Sequence, residues 1–334
     1  MAVKPSRAIP APHPVVRLIP ELADYGARRY GDAPFLLRWT PSGWQARSYT
    51  EAAAAVHAFA RLLQREGVQP GSRVGLLSEN RAEWGLAYLA ILETGAVVVP
   101  LDAALQPREV GEILSTAGAG HVVVSARLLP VIQQARAERL PELRLVTLDE
   151  RDDLPGFDEA QRVFAGATAL APTAKPDDLA VLIFTSGTTG QAKGVMLSHA
   201  NLLSNVETVA RTFEFGPGDR FLSVLPLHHT FESTGGLLCP MRVGASVAYA
   251  RGLKSNELRE DIRTSGATLF IGVPLLYEKL LAAIHKGVDD APWPRKLVAY
   301  TLLGITRLVR LATGRRIGHR LMRPSPSTRP RSPV

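Results

Sequence analysis

With 334 residues, 46% of them hydrophobic, the chain is long enough for one large core or two ordinary domains and needs no covalent staples. Its single cysteine, Cys239, closes no intrachain disulfide and builds no thiolate metal cluster, so a reducing cytoplasm is the expected compartment. The formal charge of +8 suggests nucleic acid or an anionic membrane, but residues 1–290 hold 29 basic and 31 acidic side chains while residues 291–334 hold ten basic and none acidic; the body is mildly acidic, and nucleic acid is excluded as the expected partner.

Residues 1–14 form an N-terminal extension broken by repeated prolines, with no apolar run of signal-peptide length, so export is not expected. From residue 49 the text alternates helix and strand. Thr50 is the candidate cap of a helix over 51–66 that stops at Gly67, and a strand over 73–77 follows the Pro70-Gly71 turn. Asn80 is the candidate cap of a helix over 81–94. Gly95 ends it, and 96–100 (AVVVP) is an unalternating β-branched run of the kind buried on both faces. Pro107 opens a helix to residue 117, followed by strand 121–125, helix 127–138 and strand 143–148. Residues 149–178, punctuated by Pro155, Gly156, Pro172 and Pro176, read as a connector. The rhythm resumes with strands over 179–185, 220–226, 246–249 and 268–273 and helices over 198–213, 255–264 and 274–285. Strands separated by helices of this length imply an α/β fold of doubly wound, mostly parallel sheets with flanking helices. Residues 15–178 are expected as a first lobe with its connector, and 179–318 as a second. No apolar stretch reaches the roughly 20 residues that cross a bilayer.

Between strand 179–185 and the helix that follows lies Thr185-Ser186-Gly187-Thr188-Thr189-Gly190-Gln191-Ala192-Lys193-Gly194. Glycines let backbone N–H groups approach a ligand closely, the hydroxyls add donors and Lys193 supplies a point charge, which together make a cradle for a polyanion. The pattern is not G-x-x-x-x-G-K-S/T, and G-x-G-x-x-G does not occur, so neither a Walker A loop nor a dinucleotide fingerprint is present. A short Gly/Thr/Ser cluster after a strand is often only a polar loop; ten such residues in this order favour phosphate binding.

The segment 182–205, LIFTSGTTGQAKGVMLSHANLLSN, resembles the signature phosphate loop of the adenylate-forming superfamily of acyl-CoA synthetases, luciferases and peptide-synthetase adenylation domains. The resemblance extends to 74–110, to 223–250 (SVLPLHHTFESTGGLLCPMRVGASVAYA) and to 268–281, and is greatest to long-chain fatty acyl-CoA ligases. It implies the N-terminal domain of the adenylate-forming fold, incomplete here. It also implies a reaction in which a fatty acid attacks the α-phosphate of Mg-ATP and coenzyme A then displaces AMP. Thr185, Ser186, Gly187, Thr188, Thr189 and Gly190 would hold the β- and γ-phosphates, with Lys193 as charge partner and Thr188 as a hydroxyl on the Mg²⁺ side. His229 would stand at the acyl-pocket wall and orient the carboxylate; read without the resemblance, a pair such as His228-His229 more often only terminates a strand. Glu232 and Gly235-Gly236 line the acyl tunnel on one reading and form a surface turn on the other. Cys239 is expected as a small buried hydrophobe, because the thioester sulfur belongs to coenzyme A.

Several motifs of that family do not occur in this sequence: G-Y-G-x-T-E, whose Glu binds Mg²⁺, T-G-D for the ribose, and the lysine that acts at the α-phosphate. Residues 323–333 are all Arg, Pro, Ser or Thr, and 319–334 are expected to be a disordered basic tail. A shifted reading frame or truncated gene is the expectation, with a native tail as the alternative, and the chain alone is expected to be inactive. Two other readings stay open: a non-catalytic acyl- or nucleotide-binding remnant, and a protein in peripheral contact with membrane through a basic amphipathic helix over 297–316.

Overall fold

The computed structural model describes residues 16–185, 193–290, 292–294, 296–298, 300 and 301. The strands are β1 (Pro34–Thr40), β2 (Gly43–Ser48), β3 (Arg73–Leu77), β4 (Val97–Leu101), β5 (His121–Val124), β6 (Arg144–Thr147), β7 (Leu179–Thr185), β8 (Lys193–Ser198), β9 (Arg220–Ser223), β10 (Ser246–Tyr249) and β11 (Leu269–Phe270). They form two sheets, ordered β6-β5-β3-β4-β7-β8 and β11-β9-β10-β1-β2. Within each sheet the pairs are parallel except at one edge, where β7–β8 and β1–β2 are antiparallel. The expected α/β architecture of mostly parallel sheets with flanking helices is therefore present. Both sheets take strands from either side of residue 178, so the lobe boundary expected there does not separate one sheet from the other. The chain divides instead into residues 1–271, which hold both sheets, and residues 272–334, which hold the helix Pro274–Asp289.

Alternation in the strands builds the layers. On β5, Val123 joins a large core with Val74, Val98 and Val146, while Val122 and Val124 join a smaller one with Leu77, Val110, Leu114 and Ile132. Apolar side chains leave both faces of the strand, so helices must cover both. The helix Ala82–Glu93 is buried along its whole length, which explains why its sequence shows no polar face. Beyond it Gly95 turns the chain into β4 at φ +78°, and a Cβ there would meet the Thr173 hydroxyl, so both conformation and space call for glycine.

Several boundaries differ from expectation for local reasons. Ser48, not Thr50, caps the helix Tyr49–Arg65: its side chain accepts from the Glu51 N–H while the Glu51 carboxylate accepts from the Ser48 N–H. Arg81, not Asn80, occupies the cap position of Ala82–Glu93. The helix Glu21–Tyr30 and the hairpin β1–β2 were not expected, because Pro20 and the half-polar strand β2 (GWQARS) mask their periodicity. The segment after the phosphate loop is also a strand, β8, largely exposed along the sheet edge.

Candidate functional site

The order of the larger sheet reverses between β3 and β4, since the chain moves outward from β3 to β5 and β6 on one side and from β4 to β7 on the other. A crevice at the carboxyl ends of strands flanking such a switch point is where parallel α/β sheets bind ligands. Ser78, Glu79 and Asn80 follow the end of β3, and Asp102 follows the end of β4. Asn80 donates to the Leu225 carbonyl at 2.5 Å and accepts from the Leu227 N–H at 2.9 Å. The loop after β9 is thereby held across the crevice. Its next residue, His228, places Nε2 3.7 Å from the Asp102 carboxylate and its ring 4.1 Å from that of His229. Burial pushes His228 down to about 4, with His229 adding to the fall and Asp102 opposing it, so the imidazole is neutral near pH 7.

His229 ends the loop by capping the short helix Thr230–Glu232, where its carbonyl accepts from the N–H groups of Glu232 and Ser233 at 3.1 and 3.0 Å. The next six residues, Ser233–Leu238, are π-helical, a geometry frequent at functional sites. Glu232 is not a surface carboxylate. It is 1% exposed, accepts from the Ser223 hydroxyl at 2.6 Å through Oε1, and leaves Oε2 without a partner among the described residues. Burial raises it to about 7, partly offset by the Ser223 bond. Cys239 is buried and pushed up to about 12, an inert thiol as expected.

The phosphate-loop segment is bracketed by described strands. Thr185 and Lys193 pair across β7 and β8, closing the mouth of the hairpin that carries residues 186–192. Val98 of β4 is level with Val181 of β7, so four residues further on Asp102 and Thr185 stand at the same height at adjacent strand ends. Thr185, Lys193 and the His228–His229 loop therefore converge on one crevice. Ser186, Gly187, Thr188, Thr189 and Gly190, expected to hold phosphates, lie outside the described residues. So does the Mg²⁺ expectation, which rests on Thr188; among the described residues no group of three His, Cys, Asp or Glu side chains is placed to hold a metal ion. Most of the segment 297–316 read as a membrane-surface helix is likewise outside them, and no described helix is long and apolar enough to cross a membrane. Sequence reasoning missed Asn80 and Asp102 as site residues. Their signal was position: Asp102 is the first residue beyond the buried strand β4, and Asn80 lies in the polar run Ser78-Glu79-Asn80 that follows β3.

Comparison with known proteins gives a consistent picture. The signature of the AMP-binding enzymes matches residues 24–323. The methyl-dioxo-octahydro-indenyl-propanoyl:CoA ligase of Mycobacterium tuberculosis is 32% identical over 282 residues, covering 82% of this chain and 53% of that protein. The peroxisomal long chain acyl-CoA synthetase 6 of Arabidopsis thaliana is 29% identical over 305 residues, 84% of this chain and 42% of that one. The chain thus spans about half the length of the curated relatives it matches. Among solved structures, a long-chain-fatty-acid–CoA ligase from Archaeoglobus fulgidus superposes with TM-score 0.73 at 21% identity, covering 81% of this chain and 55% of that one. The inhibitor-bound N-terminal domain of FACL13 from Mycobacterium tuberculosis gives 0.69 at 24%, covering 79% and 65%. At these identities the two structures speak for the fold alone.

Proposed function

The chain belongs to the AMP-binding enzyme family, and on that premise we propose that it supplies the phosphate-holding and carboxylate-orienting part of an ATP-dependent acid–CoA ligase acting on long-chain fatty acids. The observation that carries this reading is the convergence of Thr185, Lys193 and the His228–His229 loop at the carboxyl ends of β4 and β7. A loop of Thr185, Ser186, Gly187, Thr188, Thr189 and Gly190 holds the β- and γ-phosphates of ATP, and Lys193 balances their charge. Thr188 is the residue whose hydroxyl would hold the Mg²⁺ that accompanies ATP, and that ion would supply further neutralisation of phosphate charge. His229 orients the acid so that its carboxylate oxygen faces the α-phosphate. His228, neutral beside it, adds no positive charge of its own to the crevice. Positioning of this kind accounts for much of the rate in phosphoryl-type chemistry.

The long-chain preference is supported by the likeness of LPLHHTFE to such ligases and by the name of the Arabidopsis relative. A fused-ring propanoate is the second reading, favoured by the name of the Mycobacterium relative at 32% identity. The adenine, ribose and catalytic-lysine motifs do not occur in this sequence, so the polypeptide alone is proposed to bind ATP weakly and to form no acyl-CoA. Calorimetry with ATP, a long-chain acid and a fused-ring propanoate, paired with ATP–pyrophosphate exchange, tests this. Weak ATP binding abolished by Lys193→Ala, with no exchange, is the expected result. Flat ATP titrations would overturn the phosphate-loop assignment, and acid-dependent exchange would overturn the inactivity.

A further inference from the structure

Far from the crevice, at the amino end of β4, three helices meet over a buried histidine. His57, from Tyr49–Arg65, is 6% exposed and has a carboxylate against each ring nitrogen: Nδ1 lies 2.8 Å from Glu93 Oε2 of Ala82–Glu93, and Nε2 lies 3.3 Å from Asp24 Oδ1 of Glu21–Tyr30. A carboxylate oxygen only accepts, so both contacts are hydrogen bonds only when both nitrogens carry protons. The other oxygen of Glu93 accepts from the Leu170 N–H at 3.1 Å. Beside the bridge lies a cleft of about 380 Å³, walled by Leu18, Asp24, Arg28, Glu93, Leu170 and Thr173.

We propose that the Asp24–His57–Glu93 bridge is a proton-operated latch that fastens the helix Glu21–Tyr30 to the core when His57 is doubly protonated and lets Asp24 swing into the cleft when it is not. The two contacts are unequal. Glu93 is 5% exposed on its side chain, close to the ring, and tied at its second oxygen, whereas Asp24 is 37% exposed and has the longer contact. On loss of one proton the buried carboxylate keeps the remaining N–H, because leaving it unpaired costs most. The Nε2 lone pair then faces an Asp24 oxygen, and repulsion turns the exposed carboxylate outward. The charged groups lining the cleft are Glu21, Asp24 and Arg28 from the first helix and Glu93 from the third; Arg61, one turn beyond His57 on its own helix, donates to the Thr168 carbonyl at 3.4 Å, and residues 164–174 of the connector contribute no charge. Burial pulls the His57 ring down, but the hydrogen bond and charge of Glu93, followed by those of Asp24, outweigh it and raise the ring above its ordinary value. The latch is therefore closed at pH 6, below the ring's ordinary value, and opens as pH rises through its raised one.

The test compares Asp24→Asn with wild type, by urea unfolding of the 334-residue chain near pH 6 and near pH 9, alongside NMR titration of the His57 ring. The substitution is expected to raise the unfolding constant about tenfold near pH 6 and less than twofold near pH 9, since only the closed latch contains the charge-assisted bond. His57→Gln, which does not titrate, is expected to erase that pH dependence. An equal effect of Asp24→Asn at both values, or a His57 ring found neutral near pH 6, overturns the proposal. The ring titration is read on the wild-type chain, so the proposal stays open to refutation if His57→Gln fails to fold.

Discussion

Asn80 grips Leu227 by its backbone, accepting the N–H at 2.9 Å while donating to the carbonyl two residues earlier. A side chain at the end of β3, in the larger sheet, thereby stands in for the missing strand partner of a loop that leaves β9 in the other sheet. That grip acts with the contact of His228 to Asp102 and the helix start that His229 caps to place the two histidines.

Replacing Asn80 by Ala is accordingly expected to cost about 1–3 kcal/mol, because two backbone groups lose their partners in a half-buried setting. The same change should weaken binding of a carboxylic acid more than it weakens binding of ATP, since Thr185 and Lys193 sit on β7 and β8 and do not rely on the loop. Urea unfolding and paired calorimetric titrations measure the two effects. Equal weakening of both ligands would show that Asn80 acts only through global stability.

Glu232 predicts a pH effect whose sign follows from its raised value. The unfolded chain ionises this carboxyl near its ordinary 4.5 and the folded chain near about 7. The neutral group's contribution is whole below 4.5, falls as pH rises through 7, and stays lost above it. Glu232→Gln keeps the acceptor for Ser223 and removes the ionisation. The variant should match wild type near pH 4.5 and be more stable near pH 8 by roughly 1–3 kcal/mol. A variant that is less stable at both values would mean that the ionised form has a partner in solution.

Gly236 makes a related prediction. Helix interiors normally favour Ala over Gly, but a Cβ here would stand 2.5 Å from Glu232 Oε1. Gly236→Ala should therefore destabilise, by about 1–3 kcal/mol as an overpacked core does. In a Glu232→Ala background the obstacle is gone and the same substitution should be neutral or favourable. Thermal unfolding of the four proteins gives the coupling, and additivity within error would remove the steric explanation.

Much of this fold was legible because its central strands are buried on both faces. AVVVP and HVVVS stand out in the sequence, and β3, β7, β10 and the helices Pro107–Ala117 and Ser255–Thr264 fall where periodicity and caps put them. The hairpin β1–β2 and the edge strand β8 were not legible, because a half-exposed edge strand carries mixed polarity that resembles a loop. In the site, the loop from Thr185 to Lys193 announced itself by composition, whereas Asn80 and Asp102 are ordinary polar residues whose role exists only through contacts more than 120 residues away in sequence. Burial likewise separated the two readings of Glu232, which the sequence alone left open.

His199 gives the last prediction, with a sign opposite to that of the His57 latch. It opens the helix His199–Thr212 directly after β8, is 1% exposed, and accepts the Ile19 N–H through Nδ1 at 3.2 Å. An accepting nitrogen cannot carry a proton, and burial pushes the ring down to about 4 despite the opposing charges of Asp178 and Glu21. The unfolded chain takes up this proton near the ordinary 6.5, well before the folded one. The stability tied to the neutral ring is therefore present above 6.5 and lost progressively as pH falls through 4, at roughly 1.4 kcal/mol per unit of separation between the two values. His199→Gln does not titrate, so its unfolding midpoint in urea should fall less steeply than that of wild type between pH 6.5 and 4. Near neutrality the variant should lose about 1–3 kcal/mol if the amide fails to reach Ile19. Parallel slopes for the two proteins across that range would place the acid sensitivity on other groups. A flattened slope would identify the contact that pins residue 19, at the start of the described chain, to the helix following the phosphate-loop hairpin.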